Sequence, residues 1–125
     1  DYTKALESQL NAIRYFESAK DTSGLIISLN NLGILYNDQE KLKEAEKYFN
    51  EALTFAESFD DPYMMVTTQS NIGMNLHSQN RYKEALAVFE EVLAFDLKDG
   101  NAYEIGAWFN NVATGHLKLK NYAKA

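Results

Sequence analysis

SLNNLGILYNDQEKLKEAEKYFNEAL, residues 28–53, recurs forty residues later as TQSNIGMNLHSQNRYKEALAVFEEVL, residues 68–93. Nine of the 26 aligned positions are identical, and several others exchange one apolar residue for another. Similarity at a fixed spacing of this size is typical of proteins built from repeated structural units. The sequence therefore contains an internal repeat with a period of forty residues.

The repeat extends along the whole chain without an insertion. One series of alanines keeps the forty-residue spacing, namely Ala5, Ala45, Ala85 and Ala125. A series of asparagines keeps the same spacing, namely Asn31, Asn71 and Asn111. We therefore expect a single repeat domain over 1–125, with the second helix of a truncated repeat at 1–20, repeats at 21–60 and 61–100, and a truncated repeat at 101–125.

The composition is that of an ordinary globular chain. Of its 125 residues, 46% are hydrophobic, one is proline and none is cysteine. Without cysteine, disulfides, thiolate metal ligands and cysteine nucleophiles are excluded. No apolar run approaches the roughly 18–20 residues that span a bilayer, so no membrane partner is expected. The net charge of −6 argues against direct binding of nucleic acid, whose phosphates attract basic surfaces. We expect a cytoplasmic location, or a periplasmic one if the parent is a sensor kinase.

Apolar residues within each period recur at intervals of three and four, which predicts amphipathic helices. Short polar runs separate the two helices of a unit. Asp21, Asp61 and Asn101, in the loops before each unit, can cap the next helix. The fold class is therefore all-α, built from antiparallel helix hairpins. The predicted helices cover 2–19, 22–37, 41–58, 62–77, 81–97 and 102–118, and a further helix starts at residue 121.

Small residues predict where the helices of a hairpin approach each other. Gly33 and Gly73 are expected to lie opposite Ala45 and Ala85, because a larger side chain would hold two helix backbones apart. Phe49 and its repeat equivalent Phe89 are then expected to fill the space toward the next hairpin.

The order of these residues resembles the tetratricopeptide repeat. The pattern starts with N-L-G-x-x-Y. It continues with Tyr or Leu, which is followed by Ala three residues later, by Phe seven residues later and by Ala or Val ten residues later. The stretch NNLGILYNDQEKLKEAEKYFNEA contains most of this pattern. The usual tryptophan of the first helix is replaced by Leu29, Gln69 and Phe109, and the period is forty residues instead of the usual 34. The longer period resembles that of kinesin light chain and of bacterial signalling proteins. The resemblance implies a right-handed superhelical solenoid whose concave groove is lined by the first helix of each hairpin.

The resemblance also places residues in the groove. The fifteen groove positions are Ile27, Asn30, Asn31, Ile34, Asn37, Thr67, Ser70, Asn71, Met74, His77, Ala107, Asn110, Asn111, Thr114 and Leu117. None of these residues is charged, so a Lys/Arg clamp for a terminal carboxylate is not expected. The candidate peptide-binding residues among them are Asn30, Asn31, Ser70, Asn71, Met74, Asn110 and Asn111.

The asparagine series has three interpretations. A carboxamide can donate to and accept from a peptide backbone, and the resemblance implies this role for Asn31, Asn71 and Asn111. Alternatively, the asparagines brace neighbouring helices, or they are only solvated. The sequence alone leaves these alternatives open.

No catalytic, metal or cofactor site is predicted. The only histidines, His77 and His116, have no partner at three or four residues that would complete a metal or acid–base site. Neighbouring carboxylates such as Glu90 and Glu91 fall on the outer helix, where they are typical of a solvated face. A non-enzymatic role is therefore expected.

Two functional hypotheses remain. In the first, the chain is a binding module that takes a peptide or protein segment in its groove and acts as the sensor or scaffold part of a larger bacterial signalling or regulatory protein. In the second, it is an assembly element that associates with itself through open ends or spaces neighbouring domains. The chain starts in a second helix and lacks a polar capping repeat at either end, so a longer array is expected.

Overall fold

The computed structural model describes the backbone of residues 1–99 and the side chains of residues 1–95. Residues 1–99 contain helices and turns but no strand. Five α-helices follow one another, and they are α1 Tyr2–Ala19, α2 Thr22–Asp38, α3 Leu42–Phe59, α4 Pro62–Ser78 and α5 Tyr82–Asp99. Each begins and ends within two residues of its predicted bounds, which confirms the helical reading of the forty-residue period. The predicted helices at 102–118 and from residue 121 lie outside the described residues.

Aspartates cap the helices that follow the predicted loops. The Oδ1 of Asp21 accepts from the backbone N–H of Gly24 at 2.9 Å. The Oδ1 of Asp61 accepts from the N–H groups of Tyr63 and Met64 at 3.0 and 3.2 Å. These bonds satisfy amide groups that have no partner within the first turn of a helix. The capping role predicted for both residues is confirmed.

Each turn uses one residue in the left-handed region. These residues are twenty positions apart, with φ between 56° and 63°, and they are Lys20, Glu40, Asp60 and Asn80. None is glycine, although glycine adopts this conformation most easily. The left-handed residue directly follows α1 and α3, whereas one further residue separates it from the end of α2 and of α4.

The chain divides into two compact units, residues 1–71 and 72–125. The division falls within α4, and the repeat boundaries at 20, 60 and 100 stay a prediction. In the first unit, helices α1, α2 and α3 enclose an apolar cluster of buried residues, which are Leu25, Ile26, Leu29, Ala52 and Ala56. Partly buried side chains pack around this cluster, and they are Ile13, Phe16, Tyr48, Met64 and Met65.

A phenylalanine ring lies against each hairpin glycine. In the first unit, a Cβ added to Gly33 would stand 2.4 Å from Cε1 of Phe49. In the second, a Cβ on Gly73 would stand 2.6 Å from Cε1 of Phe89. The expectation that these rings fill the space toward the next hairpin stays a prediction. Each ring occupies the space left by the glycine of its own hairpin, because a hydrogen there lets the flat ring lie on the helix backbone.

Two findings concern the outer surface of the described residues. Tyr15, Phe55 and Phe59 leave a large part of their rings exposed on α1 and α3. No helix within residues 1–99 combines the length and apolar character needed to cross a membrane.

Candidate functional site

An uncharged stripe of exposed side chains runs along α2. Its members are spaced by four and three residues and are Ile27, Asn31 and Ile34. Within the same unit, Tyr63 and Thr67 are exposed on α4, four residues apart. This spacing places each set on one side of its helix. We refer to the side of the first unit that carries Ile27, Asn31, Tyr63 and Thr67 as the α2–α4 face.

A network of hydrogen bonds joins α2 to α4 beneath this face. The side chain of Asn30 is buried, and its Nδ2 donates to Oγ1 of the fully buried Thr68 at 2.9 Å. The Nδ2 of Asn71 donates to Oδ1 of Asn30 at 3.1 Å. Both polar ends of the Asn30 carboxamide are therefore used inside the protein, as burial of such a group requires. We call Asn30, Thr68 and Asn71 the amide cluster.

The predicted site residues fall into different environments. Asn31 is exposed, Asn71 is partly buried and Asn30 is buried. Ser70 is partly buried, and its hydroxyl donates to the carbonyl of Val66 in its own helix at 2.8 Å. Met74 is exposed in the second unit. Asn110 and Asn111 lie outside the described residues.

These environments favour different interpretations for different asparagines. Asn31 has the exposure that a ligand contact requires, whereas Asn30 has the contacts of a brace between helices. Asn71 combines the two arrangements, because one N–H of its carboxamide is bonded to Asn30 and the group is only partly buried. Peptide binding by these residues stays a prediction.

A small cavity opens on the α2–α4 face. Its volume is about 180 Å³, and its lining residues are Ile26, Ile27, Asn30, Tyr63, Met64 and Thr67. The lining alternates apolar groups with the carboxamide of Asn30 and the hydroxyl of Thr67. We call this cavity the α2–α4 pocket.

A second cavity, of about 340 Å³, lies on a different part of the first unit. Its residues are Phe16, Glu17, Lys20, Asp21, Thr22, Leu25 and Phe55. A Cβ on Gly24 would stand 2.4 Å from the Phe16 ring, so this ring also lies on a glycine. The repeat pattern did not predict this contact, although the sequence contained a signal: the residues forty positions later are Ala56 and Met64 instead of Phe16 and Gly24.

Two findings concern the titratable groups of the described residues. Within residues 1–99, no three His, Asp or Glu side chains are grouped as a metal site requires. Tyr36 and Tyr48 stack with ring centroids 5.4 Å apart. Burial raises the pKa of the Tyr48 phenol above its ordinary value, and the nearby Tyr36 and Glu51 raise it further. A higher phenol pKa makes Tyr48 a weaker acid, which does not favour acid–base chemistry near neutral pH.

Comparison with known proteins identifies the repeat. Family models described as tetratricopeptide repeat match residues 1–58 and residues 66–95. A search of the curated proteins finds no match.

Solved structures share the fold. The crystal structure of the apo form of RapI is 21% identical, with a TM-score of 0.74, and the match covers 96% of this chain and 45% of RapI. The chain thus spans less than half the length of RapI. A putative kinesin light chain from Podospora anserina, described as having nearly identical TPR-like repeats, is 13% identical with a TM-score of 0.60. That match covers 94% of this chain and 68% of the other.

Sequence models and solved structures agree on one architecture. The structural matches have low identity and establish the fold alone, which is all-α with TPR-like helix hairpins, as predicted. The family models match the sequence itself, over residues 1–58 and 66–95, and so match part of each full repeat of the forty-residue period. The chain belongs to the tetratricopeptide repeat family, in its long-period form.

Proposed function

We propose that this chain is the peptide-binding part of a larger bacterial signalling or regulatory protein. Tetratricopeptide repeats are typically non-catalytic protein-interaction modules, and the two family matches make this general role the starting point. The ligand in this proposal is an extended segment of a peptide or partner protein. It lies along the α2–α4 face, with its backbone bonded to Asn31 and Asn71.

The observation that carries the proposal is the orientation of Asn71 by the amide cluster. The bond from Asn71 Nδ2 to Asn30 Oδ1 fixes which edge of the carboxamide is used internally. The carbonyl Oδ1 of Asn71 and its second N–H remain for a ligand, since the structure shows no other hydrogen bond of this side chain within residues 1–99. A group held in one orientation loses less entropy when it binds than a freely rotating one. An exposed Asn31 at the matching position of α2 adds a second carboxamide on the same face.

The experiment starts with selection of binders from a random heptapeptide library displayed on phage. The best peptide is then synthesised and titrated against the parent chain and the Asn31→Ala variant. Two backbone bonds lost from one carboxamide weaken binding by about tenfold or more, since each is worth about 0.5–1.5 kcal/mol. The helix is retained because alanine has a higher helix propensity than asparagine.

The matched control is Asn50→Ala, which makes the same exchange at an exposed position of α3. Equal affinities of the peptide for the parent, Asn31→Ala and Asn50→Ala would show that Asn31 does not contribute to peptide binding. Failure of the library to yield any binder would refute the peptide-binding proposal itself.

A specific observation favours self-association as the second candidate. Tyr15, Phe55 and Phe59 expose large aromatic surfaces on α1 and α3, and exposed aromatic residues are enriched where proteins associate. Light scattering over a range of concentrations tests this function. A dimer that dissociates on Phe59→Ser would support it, whereas a monomer at all concentrations would exclude it.

A further inference from the structure

The α2–α4 pocket has the size of one side chain. Sites for small-molecule ligands usually have volumes of about 300–1,000 Å³, whereas this pocket has about 180 Å³. A pocket of this volume accommodates a single aliphatic side chain.

The walls of the pocket suit an apolar occupant. Ile27 and Tyr63 stand at the opening with 52% and 63% of their surfaces exposed, although both are large apolar side chains. The interior is formed by Ile26, which is 1% exposed, and by the partly buried Met64. An aliphatic group in the pocket would cover apolar surface that is otherwise in water, which is the main source of favourable free energy in such contacts. Methionine adapts its shape readily to different occupants.

The pocket is in register with the proposed backbone contacts. Asn31 lies four residues after Ile27 on α2, a distance of about 6 Å along the helix axis. Two residues of an extended peptide cover nearly the same distance, at about 3.3 Å per residue. Asn30 itself lines the pocket while it holds Asn71 through the amide cluster. A peptide that runs along α2 with one side chain in the pocket would therefore bring the backbone two residues further along to Asn31 and Asn71.

The charge of the first unit favours a basic ligand. Residues 1–71 contain twelve acidic and six basic side chains, whereas residues 72–125 contain six of each. The whole net charge of −6 therefore belongs to the unit that contains the pocket. Asp60 and Asp61 immediately precede α4, three and two residues before Tyr63 on the pocket wall. Opposite charge on the ligand would speed association and favour its selection over acidic peptides.

We propose that the α2–α4 pocket binds one aliphatic side chain of a basic, extended peptide segment and so determines which peptides this chain selects. This inference rests on the proposed peptide-binding function and adds the side chain that is recognised. It assigns to Ile27 and Tyr63 a direct contact with the ligand.

The test uses the random heptapeptide phage library, panned separately on the parent chain, on Ile27→Ala and on the control Asn50→Ala. Asn50→Ala is the control because Asn50 is exposed on α3 and does not line the pocket. We expect the parent and Asn50→Ala to enrich peptides with Leu, Ile, Val or Met at one fixed position and with Lys or Arg nearby. Panning on Ile27→Ala should lose the preference at that position.

The best peptide then gives two direct measurements. Replacing its fixed aliphatic residue by serine should weaken binding to the parent at least tenfold. Binding should also shift the ¹³C resonance of the Met64 methyl group, while that of Met65, whose side chain does not line the pocket, serves as the internal reference.

The possible outcomes separate this inference from the function on which it rests. Enriched peptides without a fixed aliphatic position, or with acidic residues instead of basic ones, would overturn the inference and leave peptide binding intact. An unchanged Met64 resonance at saturation would also overturn it. If no peptide is enriched on the parent, both proposals fail.

Discussion

A phenylalanine ring lies on a glycine both within the hairpins and between α1 and α2, but the two kinds of contact differ in how they recur forty residues later. Within the hairpins the pair is repeated, since Phe49 lies on Gly33 and Phe89 lies on Gly73. Between α1 and α2, Phe16 lies on Gly24, but the residues forty positions later are Ala56 and Met64. At that position, the large and the small residue have exchanged helices.

The difference indicates which property of the packed side chains is constrained at each of the two kinds of contact. Both Phe16 and Met64 pack against the same apolar cluster, to which Ala56 belongs. A protein core tolerates exchanges that conserve total volume better than exchanges that change it. We infer that the junction between hairpins requires a fixed volume, whereas the interior of a hairpin requires a fixed shape, namely a flat ring on bare backbone.

The largest effect is expected from removal of a buried ring. Phe49 is 1% exposed, and Phe49→Ala should lower the free energy of unfolding by about 3–5 kcal/mol. If shape is decisive within a hairpin, Gly33→Met in the Phe49→Ala background should recover little of this loss. Urea unfolding followed by circular dichroism of the two single variants and the double variant measures the coupling.

Phe59→Ala provides the control on the same helix, because Phe59 is 44% exposed. Its unfolding should differ little from that of the parent. Recovery of most of the lost stability in the double variant would show that volume alone decides this position too, and the distinction between the two regions would disappear.

A smaller effect is expected from the addition of one methyl group. Gly33→Ala and Gly24→Ala would each place a Cβ 2.4 Å from a phenylalanine ring. The Phe49 ring is enclosed in the core, so overpacking should cost about 1–3 kcal/mol, of which the higher helix propensity of alanine offsets about 1 kcal/mol. The Phe16 ring borders a cavity of about 340 Å³ and can move aside. We therefore expect Gly24→Ala to change stability by less than about 0.5 kcal/mol.

Thermal melts of the two variants beside the parent measure this difference. A loss of stability in Gly24→Ala equal to that in Gly33→Ala would show that the Phe16 ring is as tightly held as Phe49.

The architecture was predictable from the sequence because it depends on patterns that are local or repeated. Helix bounds followed from the spacing of apolar residues and from capping by Asp21 and Asp61. The position of the Phe49 ring on Gly33 was not predicted, since a glycine indicates close approach without indicating whether a backbone or a ring approaches.

The division of roles among the asparagines could not be read from the sequence. Asn30 and Asn31 are neighbours of the same type, yet one is buried and the other exposed. The buried Asn30 is bonded to Thr68, which lies 38 residues away on another helix. The α2–α4 pocket depends in the same way on the approach of two separate helices, and no single stretch of sequence contains it.

The smallest expected effect on stability comes from a pair of stacked tyrosines in the first hairpin. Tyr36 and Tyr48 stack there, whereas the residues forty positions later are Leu76 and Val88. Because the pKa of Tyr48 is raised in the folded chain, its contribution to stability is complete below the unfolded value of about 10. That contribution is lost as the pH rises through the folded pKa, because the unfolded state releases the phenol proton first.

Urea unfolding at pH 7, 10 and 11 tests this pH dependence. Tyr48→Phe should lose less stability than the parent between pH 10 and 11, while the exposed Tyr15→Phe should follow the parent. An identical alkaline loss in the parent and in Tyr48→Phe would contradict the expectation.

The glycine–phenylalanine contacts also bear on how fast the chain folds. Gly33 and Phe49 are sixteen residues apart, as are Gly73 and Phe89, and Phe16 is only eight residues from Gly24. Chains whose native contacts join nearby residues close small loops and fold quickly, because little loop entropy is lost before the contacts form. A hairpin of this kind can form while the rest of the chain is still unfolded, and it can then serve as the surface on which its neighbour condenses. The contact that determines the shape of each hairpin is therefore also placed to be among the earliest to form.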